Sequence, residues 1–174
     1  MSHSVSTREL SNFLVVAKDG NVGYLDDFYL DDANWIIRHM MVESGEWLCR
    51  KDVVIANQAV ERVDLSSRRI FLNVTRGQIE RDSQIIQLTQ LHKIKEFIGM
   101  GIHTSESTFG KISDILFATE KWTVEHLVAF THKVLNRKAV LISPKDVIST
   151  DWIHHRVDVK LTEEQIQNAP EWVR

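Results

Sequence analysis

The stretch Trp35 to Val42, WIIRHMMV, occurs a second time as Trp122 to Ala129, WTVEHLVA, and the offset of 87 holds without a gap from position 23 to position 79. Fifteen positions in that stretch are identical in the two copies: they include Gly23 and Gly110, Asp27 and Asp114, Trp35 and Trp122, and His39 and His126. No other feature constrains the fold as strongly. An internal repeat of this length means two like-folded units stacked on each other. A side-chain period of two makes any inserted residue flip a strand face, so a gapless offset predicts that every strand keeps its register in both copies. Two small β units related by a pseudo-two-fold axis are expected, with Trp35 and Trp122 in equivalent places.

Alternation and turn chemistry place the strands. In the first copy Glu9–Ala17, Val22–Leu30, Trp35–Val42, Val53–Ile55, Val60–Asp64 and Ile70–Val74 read as extended pieces separated by Lys18-Asp19-Gly20-Asn21, Asp31-Asp32-Ala33-Asn34, Gly45-Glu46 and Ser66-Ser67-Arg68-Arg69. Simple alternation would put Trp35, Ile37, His39 and Met41 on one face, and Trp122, Val124, His126 and Val128 on the matching one. Thr75 with Gln78, and Thr162 with Gln165, have capping-box spacing and predict a short helix after each copy. Residues 1–9 read as a polar tail. Ile85, Leu88, Leu91 and Ile94 recur every three positions, which allows a helical connector. The expected organisation is repeat one over 1–82, a connector over 83–96 and repeat two over 97–174. Each unit alone is small enough to bury only about 60% of its surface, so a shared interface is expected.

Net charge is −3, divided as 10 Lys/Arg against 13 Asp/Glu in residues 1–87 and 11 against 11 in residues 88–174. Neither half has the basic excess of a nucleic-acid surface. The single cysteine, Cys49, excludes an intramolecular disulfide and fits a reducing compartment. The start MSHSVSTRELS lacks the apolar core of a secretory signal, and no apolar run approaches the ~20 residues of a membrane span. A cytoplasmic protein is expected.

The ordered motifs resemble the PRC-barrel family, here in tandem. They are Gly23-x-x-x-Asp27 and Gly110-x-x-x-Asp114, then a Trp and an apolar strand, then Arg50-Lys51-Asp52-Val53-Val54-Ile55, then Val60-x-x-x-Asp64. Val74-Thr-x-x-Gln-Ile79 and Leu161-Thr-x-x-Gln-Ile166 close the two copies. The resemblance, to the family that includes the cytoplasmic domain of the photosynthetic reaction centre H subunit and one domain of a ribosome maturation factor, implies a mainly all-β protein. It would consist of two tandem small PRC-type β-barrels, each followed by a short helical segment, acting by docking to other macromolecules. The membrane helix and the second domain of those two relatives are missing from the sequence. Ala56-Asn57 also departs from Ser143-Pro144, the form usual in the family.

The candidate chemistry is sparse. His39 and His126 could carry a proton or bind a metal, but one histidine per copy is too few for a zinc site, and a structural role is favoured. His154-His155 with Asp158 reads as a solvated turn, and Asp26-Asp27 with Asp31-Asp32 as an acidic rim lacking the spacing of a calcium loop. Asp27 and Asp114 read as side chains that hold local backbone. Arg50, Lys51, Arg137 and Lys138 are the candidate partner surface. Neither a phosphate loop nor a nucleophile elbow occurs, and no cofactor is implied. The function expected is a non-catalytic interaction or adaptor module with a protein partner, homo-oligomerisation being compatible with it. A small-molecule or metal sensor in the groove between the copies, or an RNA- or ribosome-associated factor, is the alternative.

Overall fold

A computed structural model describes residues 4–131 and 138–173. The first copy runs β1 (Ser4–Ser6), α1 (Thr7–Leu10), β2 (Leu14–Ala17), β3 (Gly20–Asp31), β4 (Ile36–Ser44), β5 (Asp52–Ala56), β6 (Val60–Asp64), β7 (Arg69–Leu72) and α2 (Arg76–Ser83). The second repeats the order as β8 (His92–Lys93), α3 (Ile94–Phe97), β9 (Gly101–His103), β10 (Thr108–Ala118), β11 (Thr123–Thr131), β12 (Ala139–Ile142), β13 (Val147–Asp151), β14 (Arg156–Val159) and α4 (Glu163–Gln167). Both helices that close a copy carry the capping box expected from Thr75/Gln78 and Thr162/Gln165.

The protein is mainly β. Each copy makes a six-stranded ladder, β6-β7-β2-β3-β4-β5 and β13-β14-β9-β10-β11-β12, antiparallel except for the parallel pairs β2–β7 and β9–β14. The hydrogen-bonded ladders stay open, because β5 pairs only with β4 and β6 only with β7, a short 3-10 turn at Asn57–Ala59 carrying the chain from one to the other. The two ladders meet at one residue pair, Ile36 with Thr123. There the Ile37 amide donates to the Trp122 carbonyl and the Val124 amide to the Trp35 carbonyl, each at 2.8 Å. All three pairs are related by the offset of 87, so this is a pseudo-dyad of the kind a symmetric dimer forms between identical patches. Through it the ladders become one continuous mixed sheet.

Every irregularity of register repeats at the same offset. An extra residue is inserted in β3 at Val22 and Asp26, in β4 at Arg38 and in β6 at Glu61, and the second copy has its own at Phe109, Ser113, Glu125 and Ile148. Such bulges bend and re-aim a strand. The one at Arg38 overturns the face read by simple alternation: Ile37, Met40 and Val42 enter the core, whereas His39 lies opposite Tyr29 on the other side and is only half-buried. The bulge at Glu125 does the same in the second copy, where Val124, Leu127 and Ala129 face inward and His126 does not. Trp35 and Trp122 hold the same left-handed turn position, φ 55° and 57°. Their rings differ in company, Trp35 meeting Phe97 edge-on and Trp122 stacking on Phe117.

The tail and connector expected from the sequence are instead arms. β1 pairs with β10 of the second copy, Val5 opposite Phe117, and β8 pairs with β3 of the first, His92 opposite Leu30. Both pairings are again related by 87. Each copy therefore receives the strand and short helix that precede the other, and one core cluster spans both, with Leu10 and Phe97 fully buried from the two arms. The connector is not a single helix, since residues 84–91 lie between α2 and β8 without helical structure.

Candidate functional site

The residues that repeat most strictly converge where the arms cross. Gly23 and Gly110 start the construction. A Cβ at Gly23 would sit 1.9 Å from the Glu43 carbonyl oxygen, and one at Gly110 2.0 Å from that of Phe130, so only glycine lets the paired backbones approach this closely. The bulges at Asp26 and Ser113 then re-aim the chain, and the next residue, Asp27 or Asp114, is buried to 4% and 2% exposure.

Each of these carboxylates binds its own strand and the other copy's helix. Oδ1 of Asp27 accepts from the Phe28 amide at 2.8 Å and the Lys95 amide at 3.3 Å, while Oδ1 of Asp114 accepts from the Ile115 amide at 2.8 Å and the Arg8 amide at 3.4 Å. The sequence reading of a side chain holding nearby backbone is extended here to backbone 68 and 106 residues away.

The symmetry ends at the hydroxyl donors. Asp114 also accepts hydrogen bonds from the hydroxyl of Ser6 and, at 2.8 Å, from that of Thr7. The residues at those places in the other arm are Lys93 and Ile94, neither of which presents a hydroxyl. Asp27 Oδ2 is accordingly buried with no donor among the described residues. Burial raises the Asp27 pKa above the ordinary carboxylate value, against the opposing pull of the Phe28 and Lys95 amides and the Lys95 charge. Beside it Lys95 Nζ pairs with Asp26 at 2.6 Å, and Arg8 reaches the Ser113 carbonyl at 3.0 Å. A cavity of about 260 Å³ lies between the arms, lined among others by Thr7, Arg8, Asp27, Ile94, Lys95 and Asp114.

The other candidates lie apart from this junction. Arg50 and Lys51 are exposed in the turn before β5, Cys49 and Arg50 both having positive φ, and the Arg50 guanidinium is 3.8 Å from Glu46. Lys138 is exposed before β12, and Arg137 lies outside the described residues. Neither Arg50, Lys51 nor Lys138 lines the cavity. Burial and the neighbouring Arg38 charge lower the His39 pKa, which keeps the ring neutral at pH 7. Its Nδ1 is buried without a hydrogen-bond partner among the described residues. Asp31 and Asp32 are no free rim: Asp31 holds Arg38 at 2.8 Å and Asp32 accepts from the Trp152 indole at 2.9 Å. His154 pairs with Asp151 in the exposed β13–β14 turn. Among the described residues no three His, Cys, Asp or Glu side chains converge as metal ligands.

Ser6, Thr7 and Lys95 were not identified from sequence. Running the offset backwards from position 23 would have paired Arg8 with Lys95, Glu9 with Glu96 and Leu10 with Phe97, a chemical match with a single identity.

A second surface distinguishes the copies. Across the outward side of the first ladder the opposed residues run Asp64, Arg69, Leu14, Tyr24, Glu43, Asp52, with Arg62, Phe71 and Val16 in the next row. Tyr24 is 58% exposed, and Leu14, Val16 and Phe71 are half-buried. The Arg62 guanidinium lies 3.8 Å over the Phe71 ring, while Arg69 is exposed at the rim of the patch. In the second copy the positions of Leu14, Tyr24, Phe71 and Val16 are taken by Gly101, Lys111, Asp158 and His103. The sequence matches no protein-family model and no curated protein.

Proposed function

We propose that this chain is a non-catalytic protein-interaction module made of two PRC-barrel-like repeats, and that its docking surface is the outward face of the first. The observation that carries this reading is the apolar patch of Leu14, Val16, Tyr24 and Phe71, bordered by Arg62 and Arg69 on one side and Glu43 and Asp52 on the other. Apolar centres rimmed by charge are the usual anatomy of a docking site. The second repeat keeps the same backbone and replaces that centre with polar residues, so packing within the ladder does not require it. Arg50 and Lys51, in the turn before β5, and Lys138, before β12, lie outside this patch.

A photo-crosslinking residue placed at position 24, and separately at position 111, tests the proposal in extract of the native host. A protein adduct is expected at 24 and not at 111, and Leu14→Glu should abolish it. Equal labelling at both positions would remove the basis for the proposal, and an RNA adduct at 24 would favour the ribosome-associated alternative.

The junction cavity supports a second reading, a small-molecule sensor, because it adjoins a buried carboxylate and two cationic side chains. Native mass spectrometry of protein purified from its host would reveal a retained small molecule if that reading held.

A further inference from the structure

The two arms are bound by the same scaffold through unequal chemistry, and we propose that Asp27 is a proton-operated latch: acidification tightens the docking of the second arm, β8 and α3, onto the first repeat.

The geometry is that of a controlled comparison inside one molecule. Asp114 has a donor for each oxygen, Ser6 for Oδ2, and Thr7 with the Arg8 amide for Oδ1. At Asp27 the arm offers the Lys95 amide alone, to Oδ1, and Lys93 at the place of Ser6 leaves Oδ2 buried without a donor among the described residues. A buried carboxylate without a full set of donors is costly when charged and much less so when neutral. The groups around it do not supply the missing partner. Lys95 from α3 has its ammonium on Asp26, Arg8 from α1 is turned to the Ser113 carbonyl, and Asp114 from β10 is occupied by its own donors. On β3 the neighbours are Asp26 and Tyr29, the latter donating to Met41 Sδ; on β4, where Asp27 lies opposite Met41, the titratable residues two places to either side are His39 and Glu43, and on β8 it is Lys93.

The sign follows from linkage. A carboxyl whose pKa is higher in the folded state holds a proton that the unfolded chain has released, so its penalty is fully present above the folded pKa and is relieved as pH falls through it. Asp31 and Asp151 have lowered pKa values, and their contributions are lost only below the ordinary carboxylate range. The latch therefore operates in a window above 3.8, where those two do not yet titrate.

The test uses the full chain, with melting temperature and amide exchange at Lys95 followed from pH 7.5 to pH 4.5 in the wild type, Asp27→Asn and Lys93→Ser. Asp27→Asn should be more stable relative to wild type at pH 7.5 than at pH 4.5, because the neutral amide no longer titrates. Protection of the Lys95 amide should rise on acidification in the wild type more than in Asp27→Asn. Lys93→Ser puts at the place of Ser6 the hydroxyl that Asp114 Oδ2 accepts from, and should shrink the acid-induced gain whatever it does to the melting temperature at pH 7.5. Titration of His39 is common to all three proteins and cancels in the differences. Parallel pH curves for wild type and Asp27→Asn would overturn the proposal, as would a Lys93→Ser protein with an undiminished acid response.

Discussion

Replacing Gly23 by alanine should cost about 3 kcal/mol or more, because the clash it creates is with backbone and cannot be relieved by rotating a side chain. The new Cβ would lie 1.9 Å from the Glu43 carbonyl oxygen and 2.9 Å from Ser44 Cα. Gly110→Ala meets the same obstacle, 2.0 Å from the Phe130 oxygen and 3.3 Å from Thr131 Cα, and should cost a similar amount. To make room, β3 would have to part from β4, or β10 from β11, next to the bulge that aims the buried aspartate. The loss should therefore appear both as a lower urea midpoint and as faster exchange of the Lys95 or Arg8 amide. Gly77→Ala is the control: it lies in α2, the nearest atom to its Cβ is an Arg81 guanidinium nitrogen at 3.7 Å, and helix propensity makes it stabilising by about 0.5–1 kcal/mol. A Gly23→Ala protein as stable as wild type would mean that the strands are held less closely than described.

That contrast also explains what could be read in the sequence. Gly23 and Gly110 are visible in the repeat because no other residue fits, and the same holds for Asp27 and Asp114, whose hydrogen-bonding role is common to both copies. Strand order, the turns at Asp31–Asn34 and Ser66–Arg69 and the two capping boxes are likewise local chemistry and were legible. The bulges were not. A bulge adds one residue and leaves composition and turn signals untouched, so alternation across Arg38 predicts the wrong face for His39 and Met41 while the repeat itself remains in perfect phase. Because Glu125 carries the same bulge, comparing the copies could not expose the error.

The arms were illegible for a different reason. A segment that docks onto the other copy is constrained by that copy's surface, and the two surfaces have diverged: Ser6 and Thr7 answer to Asp114, Lys93 and Ile94 to Asp27. The divergence erased identity over residues 4–8 and 91–95, and a polar tail was the natural reading. Openness of the ladders was hidden as well, since Val53–Ile55 and Val60–Asp64 read as adjacent strands whether or not they bond to each other. The turn Asn57–Ala59 separates them, and the buried Asn57 amide donates to the Ile37 carbonyl, fixing that turn to β4.

Asp114→Ala should destabilise the protein by about 3–5 kcal/mol, more than Asp27→Ala, although the two residues are equivalent in sequence. Removing the Asp114 side chain leaves the Ser6 and Thr7 hydroxyls and the Arg8 and Ile115 amides without their acceptor. Hydrogen bonds to a charged group contribute about 1.5–3 kcal/mol each, and orphaned buried donors about 1–3, with strong non-additivity inside one network. At Asp27 only the Phe28 and Lys95 amides lose an acceptor, and the same change removes a poorly solvated charge, so the net cost should be about 1–2 kcal/mol. The first arm also buries Val5 and Leu10, at 2% and 0% exposure, and its release would open the common core at that end. Urea unfolding of both single mutants at pH 7.5 measures the order. A double-mutant cycle of Asp114→Ala with Thr7→Val separates the hydroxyl bond from the packing of the arm, and a coupling of about 1 kcal/mol or more is expected. Equal costs at the two aspartates, or no coupling to Thr7, would show that the arm is held by Val5 and Leu10 alone, and that the carboxylate asymmetry has no energetic consequence.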